Sequence, residues 1–175
     1  MPSSYWNNIF EKNGRHQLNL DYVLKKVPFF SQLKKSELRE FKRIIHHRYY
    51  KKNEVIFYEG EPGVGMFVIE NGKIGIYKNF EEDSREELAN LRSGEFFGEM
   101  ALLDESPRSA TAIALENTNV LGLFRPDLFN LINRKPKLGN KILLRLAQML
   151  AERLRLSNDE LQEIKQLYEN SVIIR

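Results

Sequence analysis

The chain of 175 residues carries a formal charge of +3 and no cysteine, which excludes disulfides, thiolate metal sites and iron–sulfur clusters. Its 42% hydrophobic and 29% charged residues are an ordinary globular balance, with enough apolar side chains for a real core. No apolar run approaches the roughly 20 residues of a membrane span, and the opening MPSSYW lacks the charged start and apolar stretch of a secretion signal. No membrane partner and a cytoplasmic location are therefore expected.

In chain order, Tyr5, Trp6, Ile9 and Phe10 fall on one side of a short amphipathic helix that Asn13-Gly14 stops. A second helical stretch over 20–26 breaks before Pro28. A third helix is expected over about 36–45, with Leu38, Phe41, Ile44 and Ile45 on its apolar face and Ser36 as N-cap. From His46 the pattern changes to short strands punctuated by glycine, predicted at 47–51, 55–58, 66–70, 73–77, 87–91, 109–114 and 120–124. Asn71-Gly72 between two of these reads as a hairpin turn, and the acidic stretch 79–86 as a solvated loop tip. Such strands point to a double-sheet jelly roll. The expected fold class is α+β: an antiparallel β jelly-roll barrel with N-terminal helices and C-terminal helices that include a long one. The domains expected are an N-terminal helical extension (1–23), the jelly roll with its lead-in and hinge helices (24–135) and a long helical segment (136–175).

After the strands, Pro126 opens a short helix to about Asn133, and a long helix starts near Leu138. Its residues Leu143, Ala147, Leu150, Leu154, Ser157, Leu161, Ile164 and Tyr168 alternate by four and three, the spacing of a coiled-coil seam. A homodimer is expected there. A helix folded back on its own domain, with Ile142, Leu146 and Met149 covering the barrel, is the alternative. Ser157-Asn158-Asp159-Glu160 also reads as a capping box that could start a separate helix. The basic run from Arg134 to Arg155 is read as a solvated helix face rather than a nucleic-acid footprint.

The chemistry is concentrated in GEFFGEMALLDESPRSATAIA, residues 94–114. Gly94 and Gly98 permit a tight turn and close backbone approach. Glu99-Met100-Ala101-Leu102-Leu103 reads as one helical turn whose start offers free amides to an anion. Pro107 pushes Ser106 towards extended backbone, and Arg108 brings a planar fork suited to phosphate or carboxylate oxygens. One arginine with backbone amides balances the single charge of a cyclic phosphodiester, whereas a triphosphate would call for a lysine or a metal. No G-x-x-x-x-G-K-[ST] loop is present.

Phe97-Gly98-Glu99-Met100-Ala101-Leu102-Leu103, a short spacer and Pro107-Arg108-Ser109-Ala110-Thr111 resemble the phosphate-binding cassette of the cyclic nucleotide-binding domain family. That family includes the cAMP sensors of bacterial catabolite-activator proteins and of protein kinase regulatory subunits. The spacing of Glu59-Gly60-Glu61-Pro62 and of Asn71-Gly72, and the Val27-Pro28-Phe29-Phe30 lead-in, extend the resemblance over roughly residues 24–156. It implies that Glu99 holds the ribose 2′-hydroxyl and that Arg108 pairs with the cyclic phosphate. Backbone amides from Gly98, Met100, Ala101, Ser109 and Ala110, beside Phe97, would complete the cradle. Leu102 corresponds to the leucine that meets the helix after the barrel. A threonine in place of Ser109 favours cGMP in that family, so the implied ligand is cAMP, with cGMP left open.

No cofactor beyond the nucleotide, no metal and no catalytic residue is expected. An enzyme would need a convergent set of histidines and acids, but only His16, His46 and His47 exist, and the adjacent pair would face opposite sides of a strand. Only a short tail follows the long helix, so no DNA-binding domain is expected. The signal would then pass to a dimer mate or an unidentified downstream protein. The rival is a jelly-roll interaction scaffold that has lost its ligand.

Overall fold

The computed structural model describes residues 24, 30, 32–80 and 85–173, with side chains to residue 170. The helices expected over 5–10 and 20–26, His16 and the centre of the 79–86 loop lie outside the described residues, apart from Leu24. Leu24 and Phe30 are buried, with Phe30 packing at 4.6 Å between ring centroids on Phe41.

Helix α1 spans Lys35–Lys42 and buries Leu38 and Phe41. Ser36 is not its cap. The helix begins one residue before Ser36, and the Lys34 amide donates to Glu37 Oε2 at 2.7 Å, satisfying a donor that the first turn would leave orphaned. Three residues after Ser36 stands Arg39, which offers no acceptor for the reciprocal bond. The helix also stops short of Ile45, which already opens the first strand.

Eight strands follow: β1 Ile45–Tyr50, β2 Val55–Phe57, β3 Gly65–Asn71, β4 Lys73–Lys78, β5 Glu86–Arg92, β6 Phe96–Phe97, β7 Thr111–Ala114 and β8 Thr118–Phe124. They form two antiparallel four-stranded sheets, ordered β1-β8-β3-β6 and β2-β7-β4-β5. This is a jelly-roll sandwich, and the sheets do not close into the expected barrel. Between them lie Phe67, Ile69, Phe97 and Val120 from one sheet and Ile56, Phe57, Ile74, Ala112 and Ala114 from the other. Each large side chain so buried contributes about 1.5–3 kcal/mol, and this interior fixes the strands that carry the site.

Asn71-Gly72 is a corner rather than a hairpin turn. It joins β3 to β4, which lie in different sheets. The reason is Thr118: its Oγ1 accepts from the Lys73 amide at 3.2 Å, and a Cβ on Gly72 (φ +104°) would meet that oxygen at 2.3 Å. The backbone is thus drawn against the start of β8 instead of folding back on β3. The real hairpin joins β4 and β5. The two-residue β6 has too short a pattern to announce itself and was not among the predicted strands.

The chain divides into two compact units, residues 1–131 and 132–175. Helix α2 spans Met100–Leu103, α3 Arg125–Arg134 and α4 Pro136–Ile173. Pro136 occupies the first position of α4, where its missing amide costs nothing. Gly139 admits the end of α3, since a Cβ there would lie 2.7 Å from Ile132 Cα. The helix runs on through Ser157–Glu160 without the break that a capping box there would make. Leu138, Ile142 and Leu146 are buried, whereas over 151–170 every residue but Arg153 is exposed. Among the described residues no helix is long and apolar enough to cross a membrane.

Candidate functional site

The site grows from the end of β6. Phe67 pairs with Phe97 across β3 and β6, and the Phe97 ring packs at 5.4 Å from Phe67 and 5.9 Å from Phe57. Phe97 therefore anchors the strand in the core. Gly98 then turns the backbone with φ +71°, a conformation costly for other residues. A Cβ there would also lie 2.6 Å from Arg108 Nη1. Both requirements select glycine at this position.

The α2 turn follows. Ala101 and Leu102 face inward at 4% and 0% exposure, while Met100 and Leu103 are half exposed. Glu99 stands at the position before the turn, with no capping bond from its side chain, and is buried at 6% exposure, an expensive place for a carboxylate unless hydrogen bonds compensate it. The Ala101 amide donates to Gly98 O at 3.3 Å and the Leu102 amide to Glu99 O at 3.0 Å. Of the amides expected in the cradle, Ala101's is thus engaged within the turn itself. Four residues are also too few for an appreciable macrodipole, so local donors and the arginine carry the site's electrostatics.

Arg108 arrives from the other side. Its backbone is locked to the Gly60–Pro62 loop: the Arg108 amide donates to Glu61 O at 2.8 Å, the Gly60 amide donates to Arg108 O at 2.9 Å, and Pro62 bridges Pro107. The side chain is only 8% exposed. Arg108 Nη1 donates to Gly98 O at 3.1 Å, and the guanidinium lies 4.0 Å from the Phe57 ring centroid. A desolvated cation–π contact of this kind is worth about 2 kcal/mol. Two independent contacts thus hold the fork beside the α2 turn. Ser109 is exposed and Ala110 buried. Thr111 Oγ1 accepts from the Glu59 amide at 2.9 Å, fixing the start of β7 to the same loop.

Arg125 and Gly63 belong to this region and sequence reasoning missed them. Arg125 Nε and Nη2 donate to Ala101 O at 3.0 and 2.8 Å, Nη2 reaches Gly63 O at 3.2 Å and also bonds Asp104 O, and Nη1 pairs with Glu105 at 3.3 Å. Gly63 lies so close to the turn that a Cβ would meet Ala101 Cβ at 2.6 Å. The available signal was an arginine placed between the last strand and a helix-opening proline.

Glu59 lies one residue before the Gly60–Pro62 loop. A hydrogen bond from Lys78, with a second from the Asn79 amide, holds its carboxyl below the ordinary value. His46 and His47 diverge as expected of neighbours on a strand, His46 Nε2 to Asp127 at 2.8 Å and His47 Nδ1 to Glu70 at 3.9 Å. Among the described residues no three histidines or acids converge on a metal position.

Comparison with known proteins accords with this geometry. The family described as cyclic nucleotide-binding domain matches residues 47–135. A cyclic AMP receptor protein of Thermus thermophilus is 38% identical over 138 residues, covering 79% of this chain and 62% of that protein. A cAMP-dependent protein kinase regulatory subunit of Hypocrea atroviridis is 31% identical over 57% of this chain and 21% of its own length. The chain thus spans less than two thirds of either relative. The crystal structure of a cyclic nucleotide-binding domain from Methylobacillus flagellatus superposes with a TM-score of 0.70 at 30% identity, covering 79% of this chain and 78% of that one. The matched residues 47–135 include the strands of the jelly roll from β1 onward, the Gly98–Leu103 turn and the buried Arg108, and the chain belongs to the cyclic nucleotide-binding domain family.

Proposed function

We propose that this domain is a sensor, not an enzyme: it binds a cyclic nucleotide, cAMP in preference to cGMP, and passes occupancy through its C-terminal helices to a second copy of the chain or a downstream protein. One observation carries the reading. Arg108 is buried, oriented by Gly98 O and the Phe57 ring, and directed at a turn that begins with a buried glutamate. In this role the fork takes the cyclic phosphate. Glu99 takes the ribose hydroxyl, a charge-assisted bond worth roughly 1.5–3 kcal/mol. The relay has a starting point in Leu102, which is wholly buried on the same turn.

The dimer is supported by the distal half of α4. Leu154, Leu161, Ile164 and Tyr168, all on the seam, are exposed at 50–70%. In a parallel pair Glu160 and Lys165 occupy the flanking positions that form interhelical ion pairs, and each would meet its opposite on the mate.

Calorimetry on the full chain tests the proposal. Wild type should bind cAMP more tightly than cGMP, and Arg108→Ala should lose about 2–5 kcal/mol, the usual cost of removing one partner of a buried charge pair. Arg108→Lys should also weaken binding, because a point charge does not replace the fork. Absence of heat with both nucleotides, at concentrations where the protein is folded, would leave the jelly roll as an interaction scaffold.

A further inference from the structure

The α2 turn is gripped at both ends by arginines that come from different parts of the chain. Arg108 reaches its first carbonyl, Gly98 O. Arg125 reaches the carbonyls at its far end, Ala101 O and Asp104 O. A helix end exposes carbonyls that need donors, and a cation there is electrostatically favourable. Arg125 supplies both from 24 residues away in sequence. It also takes Gly63 O, the residue against which Ala101 packs, and pairs with Glu105 just beyond the turn. Its own amide donates to Val64 O at 2.8 Å. One guanidinium therefore ties together the 63–64 loop, the end of α2 and the segment after it.

Arg125 is also the first residue of α3. We propose that Arg125 is the positioning residue that couples the nucleotide cassette to α3, so that a displacement of the α2 turn on ligand binding is imposed on the helix that follows the sandwich. This rests on the sensor reading above. The mechanism is geometric. The fork contacts Ala101 O within α2, Asp104 O just after it and Gly63 O in the preceding loop, so α2 cannot translate without dragging the α3 start or breaking several charge-assisted bonds at once. A lysine in the same place offers one ammonium, which cannot hold Ala101 O, Gly63 O and Asp104 O in the same planar arrangement. Arg125 touches no ligand in this scheme. Its effect is on how far the signal travels.

Hydrogen exchange on the full chain, free and saturated with cAMP, tests this in wild type, Arg125→Ala and Arg125→Lys, with calorimetry alongside. In wild type, cAMP should slow exchange over both 98–104 and 126–131. The slowing over 126–131 should be about 5- to 150-fold for a coupling of ordinary size. In the variants the slowing over 98–104 should persist and affinity should fall by no more than about tenfold, while the slowing over 126–131 shrinks below twofold. Arg125→Lys should recover thermal stability relative to Arg125→Ala without recovering that slowing, which separates the fork from simple loss of packing. If Arg125→Ala does not fold, Arg125→Lys decides alone. Full slowing over 126–131 in a folded variant overturns the coupling role and leaves the sensor reading standing. Wild type that neither binds cAMP nor changes its exchange overturns the sensor reading and the coupling with it.

Discussion

The sandwich interior and the last twenty described side chains of α4 use similar apolar residues to opposite ends. In the sandwich, Phe57, Phe67, Ile69, Ile74 and Phe97 are at most 6% exposed; along α4, Leu154, Leu156, Leu161, Ile164, Leu167 and Tyr168 are 50–70% exposed. The first set stabilises the fold through burial at about 25 cal/mol per Å². Left exposed at half or more of their surface, the second set gains little from it. A helix in water draws little stability from propensity alone, so the distal half of α4 contributes to stability only when another surface covers it. The difference separates side chains that hold the fold together from side chains that the described fold leaves exposed.

Substitutions can break that contrast or sharpen it. The largest effect should come from the interior: Phe67→Ala should cost about 3–5 kcal/mol in urea unfolding, since it removes a ring packed between three other aromatics. At the rim of the sandwich, Gly98→Ala should cost about 1–2 kcal/mol because it forces a side chain into left-handed backbone. It should also weaken cAMP binding about tenfold by pushing the Arg108 guanidinium aside, a loss of about 1.4 kcal/mol. In α4, Leu154→Glu with Leu161→Glu should change the unfolding free energy of the isolated chain by less than about 0.5 kcal/mol each, as for exposed sites generally. Sedimentation should nevertheless show a dimer for wild type and a monomer for the double variant. A wild type that stays monomeric at high concentration removes the second copy as the covering surface.

The smallest effect concerns Glu70. Burial lifts its carboxyl above the ordinary value, while His47 pulls the other way. A group whose value rises on folding stabilises the fold while protonated, and that contribution is lost as pH rises through the folded value. Glu70→Gln should therefore melt higher than wild type near neutral pH. The advantage should fade below about pH 4, where the wild-type carboxyl is protonated in both states. An unchanged difference across that range would mean that packing, not ionisation, sets it.

What could be read from the sequence follows the range of the interactions involved. The Gly98 turn and its closeness to Arg108 were legible because Gly98, Glu99, Pro107 and Arg108 lie within eleven residues, and their conformational and chemical demands are local. Seven of the eight strands among the described residues were legible for the same reason, through glycine punctuation and short apolar runs. The Gly72 corner was not, since its direction is set by Thr118, far along the chain. Nor was the role of Arg125, whose acceptors at Gly63, Ala101 and Asp104 are distant in sequence. The continuity of α4 through Ser157 was ambiguous because a capping box is a permissive signal: strong helix formers on both sides let the helix run through it.

The strand order has a consequence for how the protein is made. Among the described residues the only sheet neighbour of β1 is β8, with Ile45 opposite Leu123, and β3 also needs β8 before its sheet is complete. During synthesis at about 5–20 residues per second, the first strand must wait several seconds in the exit tunnel's shadow before its mate emerges. Until then its unpaired edge is a target for chaperones or for other nascent chains. Ribosomes stalled before residue 118 should therefore carry a chain whose first sheet is still incomplete, even with the Gly98–Leu103 turn and Arg108 already translated.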